Sequence, residues 1–414
     1  MGWQLAAYRS LSQAITLLGD FYLRRRLTKG KEHPTRWREK LGIASVARPE
    51  GKLVWLNAVG LGEVLSVRGL IAQMQTQDPR LNFLVTSSAR STFAVLQRNL
   101  PQNSIHQFLP LDSPKFVARF LRYWQPNLSI WIDQDLWPNA VVAAARQQIP
   151  MAIVNARISS QSYRRRRYGA GLFLALFRHF SLILAQDHNS AFYLRALGAR
   201  DVQVFASIKA AAPALFVDDN VLKDMAFQVR NRKIWLLASS WAEDEAIALR
   251  SHAQLLQDDP SALLIVAPRD VSRAPQIVLT AAAMGLHATQ RSISPQIATS
   301  THVYVADTFG EMGLWYRLCP VALIGGTFGA TEGHNPWEAA VLGCAILHGP
   351  RTGNFLDDFA LLGKEGAALC VDDAGLFPAL MQDHRERINR ARHLTQDAQK
   401  RLAPLAAQLI GLMQ

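Results

Sequence analysis

Short, almost unbroken apolar runs alternate along this chain with longer stretches of helical periodicity. KLVWLNAV (52–59), NFLVTSS (82–88), LSIWID (128–133), MAIVNA (151–156), LILAQD (182–187) and VQVFAS (202–207) form a first series. Runs of this length without polar alternation predict strands buried on both faces of a parallel sheet. The pattern restarts with KIWLLASS (233–240), ALLIVAPR (262–269), VYVAD (303–307), VALIGG (321–326) and CAILHG (344–349). Between the two series, KAAAPALFVDD (209–219) is rich in Ala and Pro and has no strand pattern. The expected class is α/β, with two doubly wound, Rossmann-like domains at 27–208 and 220–414 joined by a linker at 209–219. A chain of 414 residues is long enough for both, and its last helix can pack back on the first domain.

In open parallel sheets ligands sit outside the carboxyl ends of the strands, and the polar residues of this chain gather there. NAVGLGE (57–63) places Glu63 at a helix start. Asp133 and Asp135 follow the third run, Ser240 ends KIWLLASS, and Arg269 and Asp270 end the next. DTFGEM (307–312) and GGTFGATEGHNPWE (325–338) follow two later strands. The second of these is a glycine-rich turn feeding a helix expected to begin at Pro336. Such a turn exposes backbone N–H groups and the positive end of the helix dipole, which suits a phosphate. Glu338, two residues into that helix, would repel phosphate but could accept the hydroxyls of a ribose, while Arg269 grips the phosphate. The second domain is thus expected to hold a nucleotide sugar. It has no GxxxxGK[ST] sequence, and the GLGE turn of the first domain lacks a full GxGxxG.

Charge changes the picture in the first half. Up to Pro213 there are 28 Lys and Arg against 11 Asp and Glu, and thereafter 17 against 21, so the net +13 belongs to the first domain. An anionic partner is implied, either nucleic acid or an acidic membrane surface. Residues 3–23, WQLAAYRSLSQAITLLGDFYL, are too polar for a confident membrane span and are followed, not preceded, by Arg24–Arg26. With Trp3, Leu11, Leu18 and Phe21 they predict an interfacial helix over 1–26, the alternative being an amphipathic helix packed on its own domain. A second basic run, SYRRRRYG (162–169), places Arg164 and Arg165 where they could grip the phosphates of a lipid headgroup, or RNA. Cys319, Cys344 and Cys370 have no pairing or metal-ligand spacing and read as core residues.

The segments WLNAVGLGEV, DLWPN, IVNARIS, AQDHNSAFYLRALGA, APRDVSR, DTFGEMGLWY and GGTF with GHNPWEAA occur in one order along the chain. In that combination the sequence resembles the 3-deoxy-D-manno-oct-2-ulosonic acid (Kdo) transferases of lipid A assembly. The resemblance implies a GT-B fold, two domains facing each other across a cleft, and inverting transfer of Kdo from CMP-Kdo to a lipid A precursor. It also implies the cytoplasmic face of the inner membrane and no metal or other cofactor. Carried over position by position, Glu63 matches the family's proposed base. Ser207 and Lys209 match its SxK segment, the lysine neutralising the leaving phosphate. Arg269, Gly310, Glu311, Met312, Asn335 and Glu338 match positions that cradle CMP, with Ser240 and Gly326 in the adjoining turns. Asp133, Asp135 and Arg157, with Arg164 and Arg165, are the expected acceptor or sugar contacts.

Several positions depart from the family pattern. Asp133, Gln134 and Asp135 stand where Glu-Thr-Glu is usual. Asp270, Trp241 and Arg351 each replace a histidine, and Glu332 replaces a glycine. Added acid at 270 and 332 would weaken an anionic donor unless a base such as Arg351 compensates. The alternatives are a paralogous GT-B transferase with another nucleotide sugar or acceptor, and a non-catalytic CMP-binding or basic RNA-binding protein. The arginine runs lack a recognised RNA-binding pattern, so no nucleic-acid partner is expected.

Overall fold

The computed structural model describes residues 2–413. Met1 and Gln414, the outer ends of the segments 1–26 and 220–414, lie outside the described residues. The chain divides into two units, one running to Ala212 and resuming at Ala398, the other Pro213–Asp397.

The first unit is built on β1 (Leu53–Asn57), β2 (Asn82–Ser87), β3 (Ser104–Phe108), β4 (Leu128–Ile132), β5 (Met151–Ala156), β6 (Leu182–Ala185) and β7 (Val202–Val204). All pair in parallel, in the order β3-β2-β1-β4-β5-β6-β7. β1 and β4 are buried along their whole length, as near-continuous apolar runs require. Trp55, Phe120, Trp124 and Trp131 fill the space between sheet and helices. The sequence pattern misses β3, whose His106 and Gln107 are polar yet buried. One polar atom of each has a partner: Ser87 Oγ lies 2.9 Å from His106 Nε2, and Trp124 Nε1 donates to Gln107 Oε1 at 2.8 Å, while His106 Nδ1 and Gln107 Nε2 are buried without one.

The second unit carries β8 (Ile234–Ser240), β9 (Leu263–Pro268), β10 (Ala288–Gln290), β11 (Val303–Val305), β12 (Val321–Ile324), β13 (Ala345–His348) and β14 (Ala368–Cys370). Their order is β10-β11-β9-β8-β12-β13-β14, again all parallel. β10 and β14 are three-residue edge strands, too short to register as apolar runs. Cys319 and Cys344 are buried as expected, whereas Cys370, at the end of the edge strand β14, is exposed.

The predicted N-terminal helix is two helices, α1 (Trp3–Leu11) and α2 (Gln13–Thr28), separated at Ser12. One face belongs to the first unit. Leu5 and Leu23 are buried in its apolar clusters, Tyr8 Oη donates to Asp112 Oδ2 at 2.8 Å, and Asn139 Nδ2 donates to Ser12 Oγ at 2.8 Å. The other face is apolar and open: Trp3 is 78% exposed, Leu17 82% and Phe21 69%, with Leu11 and Leu18 beside them. Among the described residues no helix is long and apolar enough to cross a membrane.

The stretch 209–219 begins as structure, not as free linker. Ile208–Ala211 is a 3-10 turn lying on α3 (Leu61–Gln77), so close that a Cβ at Gly69 would run into the Ala211 carbonyl oxygen. The division between units falls after it, at Ala212. The closing helix Arg385–Gly411 changes unit at Ala398, so its last turns belong with the first unit.

Candidate active site

In the first sheet the strand order reverses between β1 and β4, and the turns after these two strands carry Glu63, Asp133 and Asp135. Glu63 is the third residue of α3. Its Oε2 accepts the N–H groups of Val59 at 2.7 Å and Gly60 at 3.2 Å, half of a capping box, since Gly60 has no side chain to reciprocate. Burial raises its pKa above the ordinary carboxylate value and the charge of Asp135 adds to this, while the two N–H groups and Lys209 oppose it. Asp133 sits at φ 64° and accepts the Arg157 N–H at 3.2 Å. Burial and then Glu63 push its carboxyl up to about 6, against the pull of Lys209 and the Arg157 N–H.

The structure therefore brings Glu63, Asp133, Asp135 and Lys209 within electrostatic reach of one another. Lys209 and Ser207, expected at the donor's phosphate, both lie in the first unit, where Ser207 Oγ accepts the Lys209 N–H at 3.3 Å. What holds this turn is Asn155, which sequence reasoning did not single out. It is a buried residue at φ 62° where the pairing of β5 with β6 shifts register. From there its Oδ1 accepts the Ile208 N–H at 3.1 Å. Of the basic run, Arg164 and Arg165 are exposed on the helix Ser160–Arg166. The overlooked Arg166 turns inward instead, 3.5 Å from the Gln134 carbonyl and over the Phe173 ring, with Asp135 and Asp133 offsetting its desolvation.

In the second sheet the order reverses between β8 and β12, and Asp244, also unremarked in the sequence, ties the two following turns together. It accepts the N–H groups of Trp241 at 2.9 Å, Gly326 at 2.6 Å and Phe328 at 3.3 Å. The helix after the glycine-rich turn is Trp337–Leu342, with Pro336 at its cap, and the Trp337 N–H donates to Asn335 Oδ1 at 3.1 Å. The amides of Gly326, Phe328 and Trp337 are already satisfied, and the helix has only six residues. This corrects the expectation of a row of open N–H groups on a strong helix dipole. Gly326, at φ 72°, and Asn335 shape the loop, and Glu338 Oε1 lies 3.4 Å from Asn335 Nδ2.

The remaining donor-site candidates divide by their partners. The buried Ser240 hydroxyl donates to Glu245 Oε1 at 3.0 Å, and Glu245 pairs with Arg273 at 2.5 Å. Glu311 pairs with Arg291 at 3.0 Å and accepts the Thr308 hydroxyl, between Gly310 at φ 86° and Met312, the first residue of the helix Met312–Leu318. Arg269 is exposed and near enough to His334 to lower the imidazole pKa, which burial brings to about 4. His334 Nε2 accepts the Trp241 indole N–H at 3.0 Å. Glu332 stands at φ 58°, which explains why glycine is the usual residue there. Asp270 is occupied in capping its own turn, accepting the Ser272 N–H at 3.0 Å.

The acid cluster yields a pH prediction. Asp133 is raised to about 6 when folded, against about 4 in an unfolded chain, so the folded state holds the extra proton between these values. Stability is expected to fall as pH rises through that window. Asp133→Asn should flatten the slope and leave the variant more stable than the parent at about pH 8. Urea unfolding at both ends of the window checks this, and parallel pH profiles for the two proteins would contradict it.

Residues 35–212 match the family described as 3-Deoxy-D-manno-octulosonic-acid transferase (kdotransferase). The chain is 33% identical over 360 residues to the probable mitochondrial 3-deoxy-D-manno-octulosonic acid transferase of Arabidopsis thaliana, covering 84% of this chain and 80% of that protein. It is 34% identical to the 3-deoxy-D-manno-octulosonic acid transferase of Rickettsia felis, over 74% of this chain and 65% of that one. Among solved structures it is similar in fold to UDP-GlcNAc 2-epimerase from Neisseria meningitidis bound to UDP-GlcNAc. The TM-score is 0.56 and the identity 14%, over 87% of this chain and 99% of that one. Two seven-stranded doubly wound units and this likeness place the fold in the GT-B class. The extent and identity of the match to the Arabidopsis thaliana protein decide the family: the chain belongs to the 3-deoxy-D-manno-octulosonic acid transferases, which are glycosyltransferases.

Proposed function

We propose that this chain moves Kdo from a CMP-activated donor to a lipid A precursor, with inversion at the anomeric carbon, at the cytoplasmic face of the inner membrane. The observation that carries the reading is the Glu63 carboxylate. Both of its N–H bonds go to Oε2, which leaves Oε1 to take a proton. An acceptor hydroxyl attacks the anomeric carbon as the bond to the CMP phosphate oxygen breaks. Its proton passes to Glu63, and CMP departs with the bonding pair. A raised pKa makes Glu63 a stronger base than an ordinary surface carboxylate. Lys209, whose charge Glu63 and Asp133 both feel, supplies positive charge in the same cluster. In the second unit Arg269 is assigned to the donor phosphate and Glu338 to the ribose, with the Gly310–Met312 turn beside them.

Glu63→Gln is expected to lower transfer by roughly 100-fold or more, as for loss of a general base, while CMP still raises the melting temperature. Arg269→Ala should abolish the CMP effect. Most activity surviving in Glu63→Gln would remove it from the mechanism, and stabilisation by UMP or ADP but not CMP would overturn the donor.

The open apolar face of α1 and α2, next to Arg24 and Arg25, supports a membrane surface as the place of reaction. Because the opposite face is core, point substitutions test this better than deletion. Leu17→Asp with Phe21→Asp should weaken binding to vesicles containing anionic lipid and leave CMP binding unchanged. Equal vesicle binding by parent and variant would sink the interfacial role of this face.

A further inference from the structure

The Trp241–His334 pair lies where the second sheet reverses, Trp241 following β8 and His334 in the turn after β12. The ring centroids are 6.5 Å apart and the planes within 8°. With the bond joining their edges, Nε1 to Nε2 at 3.0 Å, the rings lie side by side near one plane, not face to face. An indole N–H can only donate, so His334 Nε2 must accept, and the single proton of the neutral imidazole is forced onto Nδ1. The environment keeps the ring neutral, since it is largely buried and Arg269 is the charged group acting on it. Two backbone features fix the pair. The Trp241 N–H is held by Asp244 at 2.9 Å, and Gly326 leaves room for the ring, since a Cβ there would come within 3.3 Å of His334 Cδ2.

We propose that His334 binds the donor as a fixed hydrogen-bond donor, its Nδ1–H joining the Arg269 guanidinium on a phosphate oxygen of the CMP moiety, with Trp241 as the positioning residue that sets the tautomer. The inference rests on the CMP-sugar reading and adds two residues to the donor site. It also accounts for the departure at position 241. A histidine there can donate from either nitrogen or accept, so it leaves the tautomer of His334 open, whereas tryptophan can only donate.

Two measurements test it. In protein labelled with 15N-histidine, with the His334 resonances assigned by comparison with His334→Gln, the ring is expected to show a protonated Nδ1 and a bare Nε2 near neutral pH. In Trp241→Phe that preference should be lost. An Nε2–H tautomer in the parent protein would overturn the proposal at once. In calorimetric titrations, His334→Ala should raise the Kd for CMP about 10-fold, the scale of one lost hydrogen bond to a charged group. Cytidine, which has no phosphate, should bind parent and variant alike. An unchanged Kd for CMP in His334→Ala, with Arg269→Ala losing CMP, overturns the His334 contact and leaves the CMP reading standing. An equal loss for cytidine overturns the assignment to phosphate. If the parent protein binds no CMP at all, the donor reading fails first.

Discussion

A parallel strand buried on both faces penalises every polar side chain placed along its length, and that constraint shapes both units. β1 is buried at all five positions, and its one polar side-chain atom before the strand end, Trp55 Nε1, is spent on Thr86 Oγ1 at 2.9 Å. Polar chemistry is therefore pushed to the carboxyl ends of the strands. It concentrates where the order of strands reverses and two neighbouring turns part in opposite directions, after β1 and β4 in one unit and after β8 and β12 in the other.

The two units place a carboxylate at the same point and use it differently. Glu63 and Asp244 are each the third residue of the helix after the first strand of their unit, and each accepts the N–H of the residue capping that helix. Asp244 is fully buried and holds three amides with its two oxygens, so it acts as a clasp between turns. Glu63 holds two amides with one oxygen, is only half-buried, and has the other oxygen available for a proton. Side-chain length and the number of amides within reach separate an acid whose two oxygens are both engaged from one with an oxygen to spare.

Much of the fold was legible because buried parallel strands write themselves as apolar runs. β3, β10 and β14 were not, since one buries polar residues through distant partners and the others have three residues each. Glu63, Asp133 and Asp135 were legible by position after a strand. Asn155, Arg166, Asp244 and the Trp241–His334 pair were not, because their roles depend on partners far along the chain. Asn155 meets Ile208, Asp244 meets Gly326, and Trp241 meets His334. The N-terminal segment carried both of its readings at once, a core face and an open apolar face, which periodicity alone could not apportion.

The central claim is transfer of Kdo from CMP-Kdo to a lipid A precursor, and mass spectrometry of that acceptor after incubation with the purified chain tests it most directly. The account predicts that the acceptor gains the mass of one or more Kdo residues, with CMP released in equal amount. An acceptor unchanged by CMP-Kdo but glycosylated from another nucleotide sugar would contradict it.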